Sequence, residues 1–345
     1  MTRQILVGGV PVGGGAPITI QSMTNTRTDD ITATVDQIHR LEEAGCQIIR
    51  VAVPDLDAAK AVGAIKACIH IPLVVDIHFD YKLALACVEE GCDAVRINPG
   101  NIGGEDRVQA VAEACKARNL PIRIGVNGGS LEKPLLAKYG GVTPEALVES
   151  AFGHIALLEQ YDFHDICVSL KSSSVVTTMA AYRLMSEKSD YSLHLGVTET
   201  GTTQMGTIKS AIGIGGLLAL GIGDTLRVSL SADPVEEVYA ARDILKALGM
   251  AENEPNLVSC PTCGRTRIDL IGLANQVEER LKEVHKPITV AVMGCVVNGP
   301  GEASAADVGI AGGQGEGLLF RKGEIVKKVP QEQLVDELFA LIDQL

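Results

Sequence analysis

Gly45-Cys46-Gln47-Ile48-Ile49-Arg50-Val51 and Gly91-Cys92-Asp93-Ala94-Val95-Arg96-Ile97 are two copies of one short pattern. Each copy follows a segment with helical apolar periodicity and leads into a short apolar run. Such runs are typical of strands that are buried on both faces of a parallel sheet. The glycine that opens each copy suits the left-handed residue that ends a helix. The repeat therefore predicts successive β/α units.

The same alternation of strand and helix extends through the first three quarters of the chain. The predicted strands are Ile18–Gln21, Ile48–Val53, Leu73–Ile77, Ala94–Ile97, Ile122–Val126, Ile166–Leu170, Ser192–Val197 and Thr225–Leu230. Eight β/α units in about 250 residues are typical of a TIM-type (β/α)8 barrel. A doubly wound open sheet is the alternative, but no glycine-rich nucleotide fingerprint follows a predicted strand.

The composition changes after Met250, where a polar stretch that contains Pro255 is typical of a linker. The following residues contain a helical pattern, short apolar runs and a glycine-rich turn. We therefore predict an α/β barrel over residues 1–250 and a small α+β domain over residues 256–345.

Charge and composition exclude several classes of protein. The chain has 345 residues, of which 46% are hydrophobic, and a net charge of −13. This acidity argues against binding nucleic acid or an anionic membrane through overall charge. No apolar run reaches the roughly 18 residues of a membrane span, and no targeting signal is evident, so we expect a cytoplasmic protein.

Nine cysteines cannot all pair with one another, and a cytoplasmic location predicts reduced or metal-bound thiols. Six of them occur in apolar contexts and are expected to be small core residues: Cys46, Cys68, Cys87, Cys92, Cys115 and Cys167.

The predicted strands contain arginines flanked by apolar residues. They are Arg50, Arg96, Arg123 and Arg227. A lone guanidinium is costly to bury, and catalytic side chains of TIM-type barrels gather at the carboxyl ends of the strands. Because arginine matches phosphate geometry, the pattern predicts a phosphate or diphosphate ligand. Structural pairing with nearby acids is the alternative.

Further polar residues occur at the same strand ends. Lys171 supplies another cation, and Asn98 and His194 are candidate substrate contacts. Asp76 and Glu199 are candidate proton-transfer groups. Each of these residues could instead be an ordinary loop residue that caps a helix.

The C-terminal domain contains Cys260-Pro-Thr-Cys263 and, further along, Cys295. This set fits an iron–sulfur site best, while a zinc site and a role without metal stay open. A fourth cysteine is missing, and Glu302 follows a Gly-Pro-Gly turn that would return it toward Cys295. Glu302 is therefore a candidate oxygen ligand.

These motifs resemble the 4-hydroxy-3-methylbut-2-en-1-yl diphosphate synthase family. The cysteine segments Cys260–Arg265 and Met293–Glu302 carry the resemblance. The barrel motifs that carry it are Gln21–Thr26, Arg96–Asn101, Arg123–Ser130, Ser169–Ser173 and His194–Glu199.

The resemblance implies an oxidoreductase of the non-mevalonate isoprenoid pathway. Such an enzyme reduces 2-C-methyl-D-erythritol 2,4-cyclodiphosphate by two electrons, opens its ring and releases water. The resemblance also implies a [4Fe-4S] cluster, flavodoxin or ferredoxin as electron donor, and a homodimer in which the cluster domain of one chain covers the barrel of the other. The implied cluster ligands are Cys260, Cys263, Cys295 and Glu302.

The resemblance further adds Asn127 and Ser229 as diphosphate contacts beside Arg50, Arg96, Arg123 and Lys171. It is consistent with a fourth iron from which Glu302 is displaced during catalysis, and with Glu199 as the acid near the departing hydroxyl group.

Two other hypotheses remain open. A redox-free phosphate-binding barrel enzyme, similar to a pterin-pathway synthase, would have a zinc-stabilised C-terminal domain and no colour. A non-catalytic iron–sulfur carrier would be brown, but it would leave the strand arginines unexplained.

Overall fold

The computed structural model describes residues 1–251, 254–284, 286–295, 303, 305–313 and 315–345. The chain divides into two compact units, Met1–Leu248 and Gly249–Leu345. Among the described residues, no helix combines the length and the apolarity needed to cross a membrane.

The first unit is built on a closed barrel of eight parallel strands. The chain begins with a hairpin of Ile5–Val7 (β1) and Val10–Val12 (β2). The barrel strands are Thr19–Met23 (β3), Ile48–Ala52 (β4), Leu73–Asp76 (β5), Ala94–Ile97 (β6), Ile122–Asn127 (β7), Ile166–Lys171 (β8), Ser192–Leu195 (β9) and Thr225–Leu226 (β10). They follow one another around the barrel in chain order, and β10 closes it by pairing with both β9 and β3.

Helices connect the barrel strands. They are Ile31–Ala44 (α1), Leu56–Lys66 (α2), Tyr81–Glu89 (α3), Glu105–Ala117 (α4), Lys133–Tyr139 (α5), Pro144–Glu159 (α6), Val175–Lys188 (α7), Thr203–Ser210 (α8), Gly216–Leu218 (α9) and Pro234–Ala247 (α10). A π-helical segment, Ala211–Gly215, joins α8 to α9. Short 3-10 turns cover Pro99–Asn101 and Gly128–Ser130.

Local sequence sets several helix starts. Thr143 accepts a hydrogen bond from the backbone N–H of Ala146, and Pro144 occupies the first helical position of α6. Asp233 and Pro234 begin α10 in the same way. An oxygen acceptor before a proline satisfies a free N–H group and fixes the first turn.

The N-terminal hairpin closes the end of the barrel where the strands begin. Ile5, Val7 and Val12 are buried against a layer of residues near the strand starts, Ile48, Val74, Ala94 and Cys167. The barrel therefore opens at the carboxyl ends of its strands.

In its described residues, the second unit is an α+β domain with a five-stranded sheet. Its strands are Asn256–Ser259 (β11), Thr289–Met293 (β12), Val308–Gly312 (β13), Glu316–Arg321 (β14) and Glu324–Pro330 (β15). The strands lie in chain order across the sheet. β11, β12 and β13 pair in parallel, whereas β14 pairs antiparallel with both β13 and β15. Leu270–Leu281 (α11) and Leu334–Ile342 (α12) share one apolar core with this sheet, and the 3-10 turn Gln331–Gln333 leads into α12.

The predicted fold class is confirmed: a TIM-type barrel is followed by a small α+β domain. Several details differ from the sequence predictions. The hairpin β1–β2 was not predicted, and neither was strand β11, which begins at Asn256, the first residue of the predicted second domain. Cys68 is exposed, so its assignment to the core was wrong, whereas Cys46, Cys87, Cys92, Cys115 and Cys167 are buried as predicted. Cys68 follows the end of α2 in a surface turn, where an apolar sequence context does not ensure burial.

Candidate active site and metal-ligating residues

The barrel strands carry five cations, most of them in the carboxyl half of a strand or directly after it, whereas Arg123 is the second residue of β7. Arg50 lies on β4, Arg96 on β6 and Arg123 on β7. Lys171 ends β8, and Arg227 directly follows β10. Register places Arg96 beside Arg123 on neighbouring strands, and Asn127 beside Lys171.

Asp76, the last residue of β5, is the carboxylate around which two of the cations are arranged. Its Oδ1 lies 3.0 Å from Arg96 Nη1, and its Oδ2 lies 3.5 Å from Arg50 Nε. Burial by itself would raise the pKa of Asp76, but Arg50 and Arg96 outweigh it and hold the pKa at about 2. Asp76 is therefore ionised at neutral pH, which favours a role in orienting the two arginines.

A second buried carboxylate, Glu237 of α10, holds Arg227. Glu237 Oε2 lies 3.1 Å from Arg227 Nη2, and its Oε1 accepts the backbone N–H of Leu230 at 3.0 Å. The Met23 sulfur lies 3.0 Å from Arg50 Nη2 and 3.7 Å from Arg227 Nη1. Arg50 and Arg227 therefore approach the same thioether.

Arg123 is buried without an ion pair to any described residue. Its Nη1 donates a hydrogen bond to Gln21 Oε1, and its Nη2 has no partner. Burial, chiefly, lowers the pKa of Arg123 to about 10. A bound anion would reverse this shift.

Lys171 has no ion pair among the residues that the structure describes. Burial, followed by the charges of Arg50, Arg227, Arg123 and Arg96, lowers the pKa of Lys171 well below its usual value. The backbone of Gly196 leaves room for the ammonium group, because a Cβ there would lie 2.8 Å from Lys171 Nζ.

The described part of this cluster has three more cations than carboxylates. The five cations are Arg50, Arg96, Arg123, Lys171 and Arg227, and the carboxylates that contact them are Asp76 and Glu237. Buried charge needs compensation. The strand ends are therefore suited to a multiply charged anion.

Three of the predicted site residues have a buried polar atom without a hydrogen-bond partner among the described residues. These atoms are Asn98 Oδ1, Arg123 Nη2 and His194 Nε2. Burial, together with the nearby cations, lowers the pKa of His194 well below its usual value, so His194 is neutral. Such unsatisfied atoms are rare in proteins and are candidates for contact with a ligand or water.

The other predicted barrel residues lie at a strand end or in the loops after the strands. Asn127 ends β7, and its Oδ1 accepts the N–H of Gly129 at 3.3 Å. The Ser229 carbonyl accepts a hydrogen bond from the Thr200 hydroxyl. Glu199 is exposed and has a positive φ of 55°, which is uncommon for a residue with a side chain.

The cysteines of the second unit follow adjacent parallel strands. Cys260 comes directly after β11, where its N–H donates to the Val292 carbonyl, and Cys295 comes shortly after β12. The Cys260 sulfur accepts the N–H of Gly294 at 3.1 Å. Hydrogen bonds from the backbone and side chain of Arg265 lower the pKa of Cys263. The three are free thiols, and Glu302 lies outside the described residues.

Sequence reasoning missed the partners of the arginines. Gln21 belongs to one of the barrel motifs, but no role was assigned to it. Its amide oxygen accepts a hydrogen bond from Arg123. Glu237 was not singled out, because it lies in a helix that also contains Glu236. Its burial is the signal that separates it from its exposed neighbour, and burial is not visible in the sequence.

Together these features define a TIM-barrel protein with a buried cationic cluster in its barrel and a thiol-bearing α+β domain. The family model of the GcpE TIM-barrel domain matches residues 2–242, and that of the GcpE protein C-terminal domain matches residues 256–344. The chain belongs to the GcpE family.

Curated relatives agree over their full length. A protein of Clostridium perfringens is 62% identical over 99% of this chain and 98% of its own. A protein of Geobacillus thermodenitrificans is 60% identical over 100% of this chain and 92% of its own. Both are named 4-hydroxy-3-methylbut-2-en-1-yl diphosphate synthase (flavodoxin), so the chain is a member of an enzyme family.

Two of the solved structures that resemble the chain are dihydropteroate synthases. Dihydropteroate synthase of Stenotrophomonas maltophilia is 13% identical with a TM-score of 0.52, covering 72% of this chain and 97% of that protein. The Yersinia pestis enzyme is 14% identical with a TM-score of 0.50, covering 73% and 100%. At such low identity the likeness shows the fold only, and it does not favour the pterin-synthase-like alternative.

Proposed function

We propose that this chain catalyses the reductive opening of 2-C-methyl-D-erythritol 2,4-cyclodiphosphate to 4-hydroxy-3-methylbut-2-enyl diphosphate. The reaction takes up two electrons and two protons and releases one water. The observation that carries the proposal is the uncompensated positive charge of the strand-end cluster, combined with the full-length similarity to enzymes of that name.

In this proposal the diphosphate is held by the cations of the barrel. Arg50 and Arg96 are oriented by Asp76, and Arg123 and Lys171 have no acidic partner among the described residues. Asn98, Asn127, His194 and Ser229 complete the substrate contacts. Guanidinium groups supply paired donors to phosphate oxygens, and the ammonium group supplies a compact charge.

Proton transfer is assigned to Glu199, the exposed carboxylate after β9. A carboxylic acid near the departing hydroxyl group lets it leave as water. Asp76 was the other candidate. Its ion pairs keep it ionised, which supports an orienting role in the same reaction.

The thiols of the second unit fit a [4Fe-4S] cluster held by Cys260, Cys263, Cys295 and Glu302. Three observations support this assignment. The thiols lie at the ends of adjacent strands, the Gly294 N–H donates a hydrogen bond to the Cys260 sulfur, and the pKa of Cys263 is lowered. Hydrogen bonds to sulfur are a common means of tuning such clusters. When bound, the cluster supplies electrons one at a time and a Lewis-acidic iron.

Flavodoxin is the proposed donor, because the relatives are named for it, and ferredoxin is the alternative. The enzyme is proposed to be a cytoplasmic homodimer. Light scattering of the anaerobically purified protein tests this part, and a mass of one chain would refute the dimer.

The decisive experiment is anaerobic turnover of the cyclodiphosphate with reduced flavodoxin, together with iron and sulfide analysis. Cys263→Ser should lose colour, iron and turnover. Cys68→Ser is the matched control, because it removes another exposed thiol, and it should retain all three. A zinc-only protein, or a Cys263→Ser variant with full iron and turnover, would overturn the proposal.

A further inference from the structure

Two histidines and a glutamate meet on the surface of the barrel at the end opposite the cationic cluster. His39 and Glu42 lie three residues apart on α1, and His70 lies between α2 and the start of β5. One nitrogen from each imidazole and one Glu42 oxygen lie within 4.8 Å of one another. Among the described residues, this is the group in which three such donor atoms converge.

Glu42 is fixed by the loop that carries His70. Its Oε1 accepts the backbone N–H groups of His70 at 2.8 Å and Ile71 at 3.2 Å. Its Oε2 is left facing His70 Nδ1 at 3.0 Å. The Glu42 side chain is only 15% exposed although the His70 side chain is 82% exposed. The carboxylate is therefore held in place before any ligand arrives.

His39 is oriented by a backbone carbonyl. Its Nε2 lies 2.9 Å from the Cys68 oxygen, and because a carbonyl only accepts, Nε2 carries the proton and Nδ1 keeps a lone pair. A ring N–H bonded to a carbonyl is the usual support of a metal-binding histidine. The two rings lie 5.9 Å apart between centroids.

We propose that His39, Glu42 and His70 bind a divalent transition metal of the Zn²⁺ or Co²⁺ class. Two imidazoles and one carboxylate suit these borderline ions, and solvent would complete the coordination. Metal bonds of about 2.0–2.2 Å at tetrahedral angles place neighbouring ligand atoms roughly 3.4 Å apart, so the 3.0 Å hydrogen bond between His70 Nδ1 and Glu42 Oε2 needs to open only slightly when an ion replaces its proton. The ion would join the end of α1 to the loop before β5.

The test is equilibrium dialysis of the intact holoenzyme against Zn²⁺, with zinc and iron measured in each sample. The wild type should bind one more zinc per chain than His39→Gln/His70→Gln. Glu42→Gln keeps an oxygen that can accept the two backbone N–H groups. Because it removes a direct metal ligand, it should weaken zinc binding at least about 10–100-fold, the usual effect of losing only a residue that supports a ligand. Excess Mg²⁺ should not compete.

His164→Gln is the matched control. His164 is another half-exposed imidazole beside a carboxylate, 3.4 Å from Asp162, and His164→Gln should bind as much zinc as the wild type. Zinc should also raise the melting temperature of the wild type and of His164→Gln, but not of the double variant. Equal zinc content in the wild type and all variants at constant iron, or equal loss in His164→Gln, would overturn the proposal.

Discussion

Replacing Asp76 with Asn tests whether this carboxylate stabilises the barrel by compensating Arg50 and Arg96. The change removes the negative charge but keeps the size of the side chain. A tenfold change in proton affinity is worth about 1.36 kcal/mol, so a pKa lowered from 3.8 to about 2 corresponds to roughly 2.5 kcal/mol of stability at pH 7. Leaving two buried guanidinium groups unpaired raises the expected loss toward about 3–5 kcal/mol.

The pH dependence gives an independent check of the Asp76 argument. A carboxyl group whose pKa is lower in the folded than in the unfolded protein stabilises the fold at pH values above the unfolded-state pKa. This stabilisation is lost as the pH falls through the folded-state pKa. The charge contribution should therefore be full at pH 7 and fall to about half at pH 3.

The assay is urea unfolding followed by circular dichroism, analysed for the unit Met1–Leu248 that contains Asp76. Asp162→Asn is the control, because its exposed pair with Lys116 should contribute only about 0–1 kcal/mol. The reasoning is refuted if Asp76→Asn costs no more than this control, or if its cost is the same at pH 7 and pH 3.

Three further predictions follow from the same barrel. Gly125→Ala should weaken substrate binding and lower the unfolding free energy by about 1–3 kcal/mol, because a Cβ would lie 2.2 Å from the Arg96 guanidinium; Gly153→Ala, in open space on α6, should not. Lys171→Gln should raise the dissociation constant for the cyclodiphosphate about 10–100-fold in calorimetry, since one charge-assisted hydrogen bond is lost. Burial, opposed by a nearby glutamate, lowers the pKa of His154, so the stability of the fold should decline as the pH falls below 6.5. His154→Gln should reduce this dependence of the melting temperature on pH in thermal melts.

The strand order of the barrel was accessible from the sequence because parallel strands buried on both faces leave short, nearly continuous apolar runs. Their ends were less predictable. The last strand was expected to extend over Thr225–Leu230 but covers only Thr225–Leu226. The physical reason lies in Glu237, whose carboxylate binds Arg227 and the Leu230 N–H, and so takes a backbone donor that a longer strand would have paired.

The chemistry of the site was predictable by residue type, whereas its internal pairing was not. Arginines in apolar strands indicate an anion site, because a buried charge is costly unless an opposite charge compensates it. Which carboxylate compensates which arginine depends on contacts between distant segments, such as Arg227 with a helix residue. Asp76 illustrates the limit, since its position at a strand end suggested proton transfer and its two ion pairs favour orientation.

The N-terminal hairpin has a consequence for how the chain is made. Thr2 bonds Asp224 at 2.6 Å, and the hairpin packs on Cys167 of β8. These partners are synthesised long after the hairpin leaves the ribosome. The contacts of Thr2 and the hairpin with these partners can therefore form only after most of the barrel has been synthesised, and contacts of such long sequence separation slow folding.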